Sequence, residues 1–195
     1  MIHAVLWLSM MQTVGAGPLS NSLDYTTPAP EQEGAFRLAE FSRLQDRLLY
    51  LSKKNNMNAT RKIFQKLEAL GLPLGHTELL IGAQIYRHDG NVAGAYTCLT
   101  QAARIEGTRE VIDWLVGIDR QYGRVLLQVE KGFKEGVLPA NAVIFPDQKA
   151  ALSFANKELD EKLAFEGFLP HGVYTLNGQT FEVSAGGDVL ELSLR

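Results

Sequence analysis

Apolar residues return every three or four positions from Ala35 to about Gly123, the spacing that lines one face of an α-helix. Phe41, Leu44, Leu48 and Leu51 form a first stripe, and Asn55-Asn56 interrupts it. Asn58 is a candidate cap for the next helix, whose stripe is Ile63, Phe64, Leu67 and Leu70. Gly71, Pro73 and Gly75 end that helix. Thr77 is the expected cap of a third, with Leu79, Leu80, Ala83 and Tyr86 on its apolar side. Asp89-Gly90-Asn91 reads as a tight turn, because Gly and Asn accept positive φ. Val92, Ala95, Leu99 and Ala102 make a fourth stripe. Thr108 opens a fifth helix that carries Ile112, Leu115 and Ile118.

Around Arg124 the period changes from 3.6 to 2. Val125, Leu127 and Val129 alternate with Leu126, Gln128 and Glu130, as in a half-buried strand. Further short runs follow at 142–145, 151–154, 163–165, 173–176, 180–183 and 189–194, punctuated by Gly, Pro, Asn and Asp. This spacing predicts an all-β sandwich over 124–195. The sharpest local feature is VYTL-NG-QTFEV. Asn177-Gly178 suits a type I′ turn, which pairs Tyr174 with Phe181 and puts Tyr174, Leu176, Phe181 and Val183 on one face. The fold class expected is therefore α+β and segregated, with antiparallel helix pairs followed by a β-sandwich. Only Gln121, Tyr122 and Gly123 separate the last helical stripe from the first strand, too few for a swinging linker. The fifth helix should then bury Ile112, Leu115 and Ile118 against the β unit, with Trp114 and Tyr122 in contact.

The helical segment resembles the tetratricopeptide (TPR) family. Leu79, Gly82-Ala83, Tyr86, Gly90, Val92, Ala95, Leu99 and Ala102 stand at the positions of one repeat. Trp114, Gly117 and Ile118 repeat Leu79, Gly82 and Ala83 after 35 residues, while Phe41, Leu44 and Leu48 precede Leu79, Gly82 and Tyr86 by 38. Gly107 stands roughly where the family has proline. An unrelated bundle of four or five helices remains the alternative. The resemblance implies a groove lined by the first helix of each repeat, a surface that in the family binds peptides or proteins. Mapped by position, its candidate residues are Asp46, Tyr50, Gln84, Arg87 and His88, with Ala39, Ser42, Leu49, Thr77 and Leu80 beside them.

The last segment resembles the PEGA domain, a small sandwich of bacterial envelope and surface proteins. LPHGVYTL (169–176) is close to that family's Leu-Pro-x-Gly-x-Tyr-x-Val stretch, followed by the Gly-rich GGDVLELSL (186–194). The namesake Pro-x-Gly-Ala falls on Pro139-Ala140-Asn141-Ala142, with Asn in place of Gly. A transthyretin-like or fibronectin-like sandwich would explain the strands as well.

Composition adds limits. The chain has 195 residues, 46% of them hydrophobic and 21% charged, which excludes a disordered chain and a polytopic membrane protein. One cysteine, Cys98, excludes a disulfide scaffold. A net charge of −3 argues against a dedicated nucleic-acid binder. Residues 1–36 hold no Lys or Arg. Within them, IHAVLWLSMM (2–11) has the length of a signal-peptide h-region, and Val14-Gly15-Ala16 fits cleavage after Ala16. The expectation is a signal peptide at 1–16, a flexible linker at 17–34, a TPR-like domain at 35–123 and a PEGA-like domain at 124–195. The mature chain would then be periplasmic or at the cell surface, without a transmembrane segment; a buried N-terminal helix in a cytoplasmic protein is the alternative.

Candidate chemistry is sparse. His76, His88 and His171 lie in different segments with no HxH or HExxH spacing, and His3 would leave with the signal peptide. Glu158, Asp160 and Glu161 sit in a solvated KELDEK turn, and Glu166 stands between Phe165 and Phe168 with no nucleophile or base beside it. No P-loop, dinucleotide fingerprint or CxxC occurs, so no catalytic residue, metal or cofactor is expected. Residues 37–66 carry eight basic groups against Glu40 and Asp46. Arg43 and Arg47 share one face, as do Lys62 and Lys66, which makes a candidate patch for an anionic partner. Few aromatics interleave, which argues against single-stranded nucleic acid. The function these features suggest is non-enzymatic: a protein-interaction or scaffold protein of a bacterial envelope, binding other envelope proteins or peptides. The alternative is a module that binds cell-wall carbohydrate or another anionic polymer.

Overall fold

The computed structural model describes residues 30–129, 145–176 and 178–194. The expected signal peptide, most of the expected linker, the run at 142–144, Pro139–Ala142 and Asn177 lie outside them. Five helices come first: α1 (Pro30–Lys53), α2 (Met57–Ala69), α3 (His76–His88), α4 (Val92–Ile105) and α5 (Arg109–Gln121). β1 (Tyr122–Val129) follows α5 with no residue between them. Then come α6 (Pro146–Lys162), β2 (Ala164–Pro170), β3 (Gly172–Leu176), β4 (Gln179–Val183) and β5 (Leu190–Leu194). The layout is α+β, helix-rich in its N-terminal part with small sheets at its C-terminal end.

Helix ends follow side-chain capping. Asn56, not Asn58, caps α2 by accepting from the Ala59 amide at 3.1 Å; Asn58 lies inside the first turn. Asn91 caps α4 from the Gly94 amide at 2.8 Å, and Thr108 caps α5. Thr77 caps nothing. The capping position before α3 is Gly75, without a side-chain bond, because the chain already turns helical at His76. α1 begins at Pro30, inside the stretch expected to be linker, since proline suits a first helical position.

The helices pack around Leu44, Leu48, Phe64, Leu67, Leu79, Ala83, Leu99, Ala102, Val111 and Ile118. Phe64 meets Tyr86 edge-on at 5.9 Å, and the Tyr86 hydroxyl donates to Glu68 at 2.7 Å. The buried side of α5 is rotated from the expected one. Val111 and Ile118 are buried and Leu115 partly so, while Ile112 is 44% exposed.

The C-terminal unit is not all-β. Residues 151–154, expected as a strand, lie inside the 17-residue helix α6. Its start has Pro146 and Asp147 in the first turn, and Ala151, Leu152, Ala155 and Leu159 are buried at helical spacing. The KELDEK stretch is the end of this helix, with Lys162 paired to Glu158 and Lys157 to Glu161. β1 is the centre of a three-stranded sheet in the order β2-β1-β5, antiparallel to β2 and parallel to β5. β3 and β4 form a hairpin in the expected register, Tyr174 opposite Phe181, with Tyr174, Leu176, Phe181 and Val183 buried. The Tyr174 hydroxyl donates to the Pro170 carbonyl at 2.7 Å. Leu152, Ala155 and Leu159 of α6 share a core with these residues and with Val125, Leu127 and Phe165.

The two units are joined by buried side chains. Tyr122, Ala151 and Phe168 belong to the helical core although all three lie beyond α5. Gly90, between α3 and α4, has φ +80 and touches α6 so closely that a Cβ would overlap the Ala150 carbonyl. Gly123 meets the Ser184 carbonyl in the same way. The Gly186 amide donates to the Tyr122 carbonyl at 3.2 Å, and the His171 amide to the Gln121 carbonyl at 3.0 Å. No helix among the described residues is long and apolar enough to cross a membrane.

Candidate functional site

The exposed C-terminal end of α3 presents Gln84, Arg87 and His88. The first turns of α5 face them with Glu110 and Trp114, Met57 closes one side, and Asp147 enters from the first turn of α6. These seven side chains line an open cleft of about 550 Å³. Arg87, Trp114 and Asp147 also line an inner cavity of about 170 Å³, whose floor is Val92, Ala95, Ile118 and Tyr122.

Arg87 organises this cleft. Its guanidinium lies 5.6 Å from the Trp114 ring centre, and its Nε donates to Asp147 at 2.9 Å, with a second bond from Nη2. A cation on an indole face and a two-point contact to a carboxylate together hold one rotamer. Deeper in, burial pushes the Tyr122 hydroxyl above its usual pKa; Asp147 adds to the rise and Arg87 opposes it. His88 stands beside the bidentate Arg61–Asp89 pair, its Nδ1 3.2 Å from Asp89.

The five groove residues expected from sequence do not share one surface. Gln84, Arg87 and His88 lie in the α3–α5 cleft. Asp46 and Tyr50 instead line a depression of about 630 Å³ between α1 and α2, together with Arg43, Arg47 and Lys66 of the expected anionic-partner patch. Lys62 is exposed on α2 but does not line it. Arg43 is bound to Glu40 at 2.7 and 2.8 Å, which holds that carboxyl below the usual range. Arg47 and Lys54 lie 5.7 and 5.9 Å from the Tyr50 ring centre. Of the eight cations in 37–66, Arg61 is taken by Asp89 and Arg37 donates to the Leu70 carbonyl at 2.6 Å. Within 37–66, Arg47, Lys53, Lys54 and Lys62 are exposed with no carboxylate partner among the described residues, and Lys66 is exposed with its charge acting on Glu40.

Sequence reasoning missed Trp114, Glu110, Met57 and Asp147 as cleft residues. The 35-residue offset placed Trp114 at the packing position of Leu79, whereas it packs only partly on the core and faces the cleft. Asp147 stands in the first turn of α6, a helix whose sequence reads as loop and strand.

Glu166 is exposed on β2. Cys98 is buried, and burial pushes its thiol up to about 11. Among the described residues no group of three or more His, Cys, Asp and Glu is placed to hold a metal ion. In comparisons with known proteins, no family model matches the chain, and no curated protein and no solved structure is significantly similar to it.

Proposed function

We propose that the protein is a non-enzymatic interaction module whose α3–α5 cleft receives a segment of another protein. The observation that carries this reading is the cleft itself: polar, exposed α3 side chains face a partly buried tryptophan across an open groove. Tryptophan and arginine are among the residues enriched at the energetic centres of protein-binding surfaces. The TPR-like reading of the helices is consistent with it. Gly82 lies so close to the Phe64 ring that a Cβ would collide, the close helix approach that small residues at this position permit. For the C-terminal unit the PEGA-like reading rests on β1, the β3–β4 hairpin and β5 alone, with α6 outside that pattern. Placement in a bacterial envelope rests on residues 2–16, and a scaffold role there is the function that joins both readings.

A photo-crosslinking residue at Gln84, introduced into the chain in its native host, tests the reading. Discrete protein adducts are expected from Gln84, lost when Trp114→Ala is added, and not formed from the same probe at Gln65 on α2. Equal adducts from Gln65, or adducts that survive Trp114→Ala, overturn it.

The α1–α2 depression favours a second reading, an anionic polymer held by Arg47, Lys54 and Lys66. Its mark is retention on a polyanionic matrix that falls with salt and is lost in Arg47→Gln/Lys66→Gln.

A further inference from the structure

A second cavity, of about 250 Å³, opens on another side of the seam between the two units. Tyr96 of α4, Asp119 of α5, Tyr122 and Arg124 of β1, Phe168 of β2 and the Gly186-Gly187 turn line it. The Arg124 guanidinium lies 5.2 Å from the Tyr96 ring centre and 5.4 Å from that of Phe168, and the two rings are 5.3 Å apart. Stacking on two rings restricts the side chain without using its N–H donors. Among the described residues no hydrogen-bond or ion-pair partner meets that guanidinium, and none meets the Asp119 carboxylate.

The cavity is thus lined by one exposed cation held over two rings, Arg124, and by Asp119, and the two form no ion pair with each other. The planar fork of Arg124 fits a carboxylate by two parallel bonds. Asp119 on the same cavity disfavours a dianion such as phosphate and favours a ligand that also carries a positive charge. Gly187 widens the space. Its φ lies outside the left-handed region and a Cβ would meet only Ser184, at 3.7 Å, so the fold itself does not demand glycine there. Gly186, by contrast, is held by φ +60 and by its approach to the Asp119 carbonyl.

We propose that this cavity is a binding site for a small amphoteric carboxylate, a free α-amino acid, with its carboxylate on Arg124 and its ammonium toward Asp119. The site is separate from the α3–α5 cleft and shares only Tyr122 with the inner cavity beside it, so it stands whether or not that cleft binds protein.

The test is an NMR titration of the full-length, ¹⁵N-labelled chain with each common amino acid, following the Gly186 and Gly187 amides. At least one amino acid is expected to give saturable shifts there. Its N-acetyl and carboxamide derivatives, each lacking one charge, are expected to bind about tenfold more weakly or less. Arg124→Gln is expected to cost about the same factor, and Gly187→Leu to remove binding while the melting temperature stays unchanged. No saturation by any amino acid up to about 10 mM overturns the proposal. So does binding that is unchanged in Arg124→Gln, or stronger perturbation of the same amides by inorganic phosphate. Should Gly187→Leu lower the melting temperature, Arg124→Gln and the two blocked derivatives decide.

Discussion

Arg87 and Arg124 stand on different sides of the seam between the helices and the C-terminal unit, and each stacks on aromatic rings. Arg87 lies over Trp114 and is tied to Asp147 of α6. Arg124 lies over Tyr96 and Phe168 and meets no carboxylate among the described residues. The aromatic platform does the same work in both, fixing where the guanidinium points. What differs is the facing element. Helix α6 brings a carboxylate to Arg87, whereas a glycine turn leaves Arg124 facing open space. One arginine becomes a brace and the other keeps its donors for a ligand.

The brace does not hold the seam by itself. The Arg87 and Asp147 side chains are about half exposed, at 52% and 45%, so solvent screens their pairing. Burial of Tyr122, Ala151 and Phe168 and the close backbone contacts at Gly90 and Gly123 carry more. Breaking those contacts gives the largest expected effects. Gly90→Ala should destabilise the protein by about 2–4 kcal/mol, because it combines positive φ with overlap on the Ala150 carbonyl. Gly123→Ala, overlapping the Ser184 carbonyl, should cost a similar amount from the Arg124 side. Urea unfolding of both variants measures this, and a loss below that of an exposed Gly→Ala control would show a softer seam.

The two platforms should differ next. Phe168→Ala removes a side chain that is 8% exposed and is expected to cost about 3 kcal/mol. Trp114→Ala should cost about 1 kcal/mol, since its ring is only partly buried. Equal losses in thermal unfolding would contradict the distinction between a core platform and a cleft platform.

Smaller still is the brace. A double-mutant cycle of Arg87→Gln and Asp147→Asn should give a coupling of about 0.5–1 kcal/mol, reduced by salt. A coupling several times larger would make Arg87 a structural tie.

The smallest effect separates the arginines by titration. Tyr122 lines both cavities, and its hydroxyl is raised by burial and Asp147 and lowered by Arg87. Arg87→Gln should move its titration further up and Asp147→Asn down, while Arg124→Gln leaves it in place, followed by tyrosinate absorbance or NMR. Tyr174 supplies a reference, since burial, with a lesser contribution from Tyr122, pushes it up to about 12 from 10. A raised folded-state value for an acid means that the unfolded chain loses its proton first. Stability from these tyrosines is therefore complete below about pH 10 and declines as pH rises toward 12. Tyr174→Phe should flatten that decline while losing the bond to the Pro170 carbonyl.

Much of the fold is legible from short stretches of chain. The helical period from 35 to Gln121, the turn at Asp89-Gly90-Asn91, the cap at Thr108 and the Tyr174–Phe181 register each depend on neighbours a few residues apart, and the structure has all four, with the first strand starting at Tyr122 rather than at the expected Arg124. Helix α6 is the exception: residues 151–154 read as strand, although Pro146, Asp147 and the helical spacing of Ala151, Leu152, Ala155 and Leu159 mark a helix in the structure. Short apolar runs in a stretch of strands read as strand, because periodicity over four residues does not separate a strand from a buried helix turn. The cleft and the cavity are different in kind. Asp147 stands 60 residues beyond Arg87, and Phe168 stands 72 beyond Tyr96. Nothing local states that these side chains meet, since α6 and β2 reach the helices through contacts between distant segments, among them the Gly90 approach and the burial of Ala151 and Phe168. Helices, caps and register come from forces that act within a few residues. Which arginine is paired and which is left open comes from packing between distant segments, and only the tertiary structure decides it.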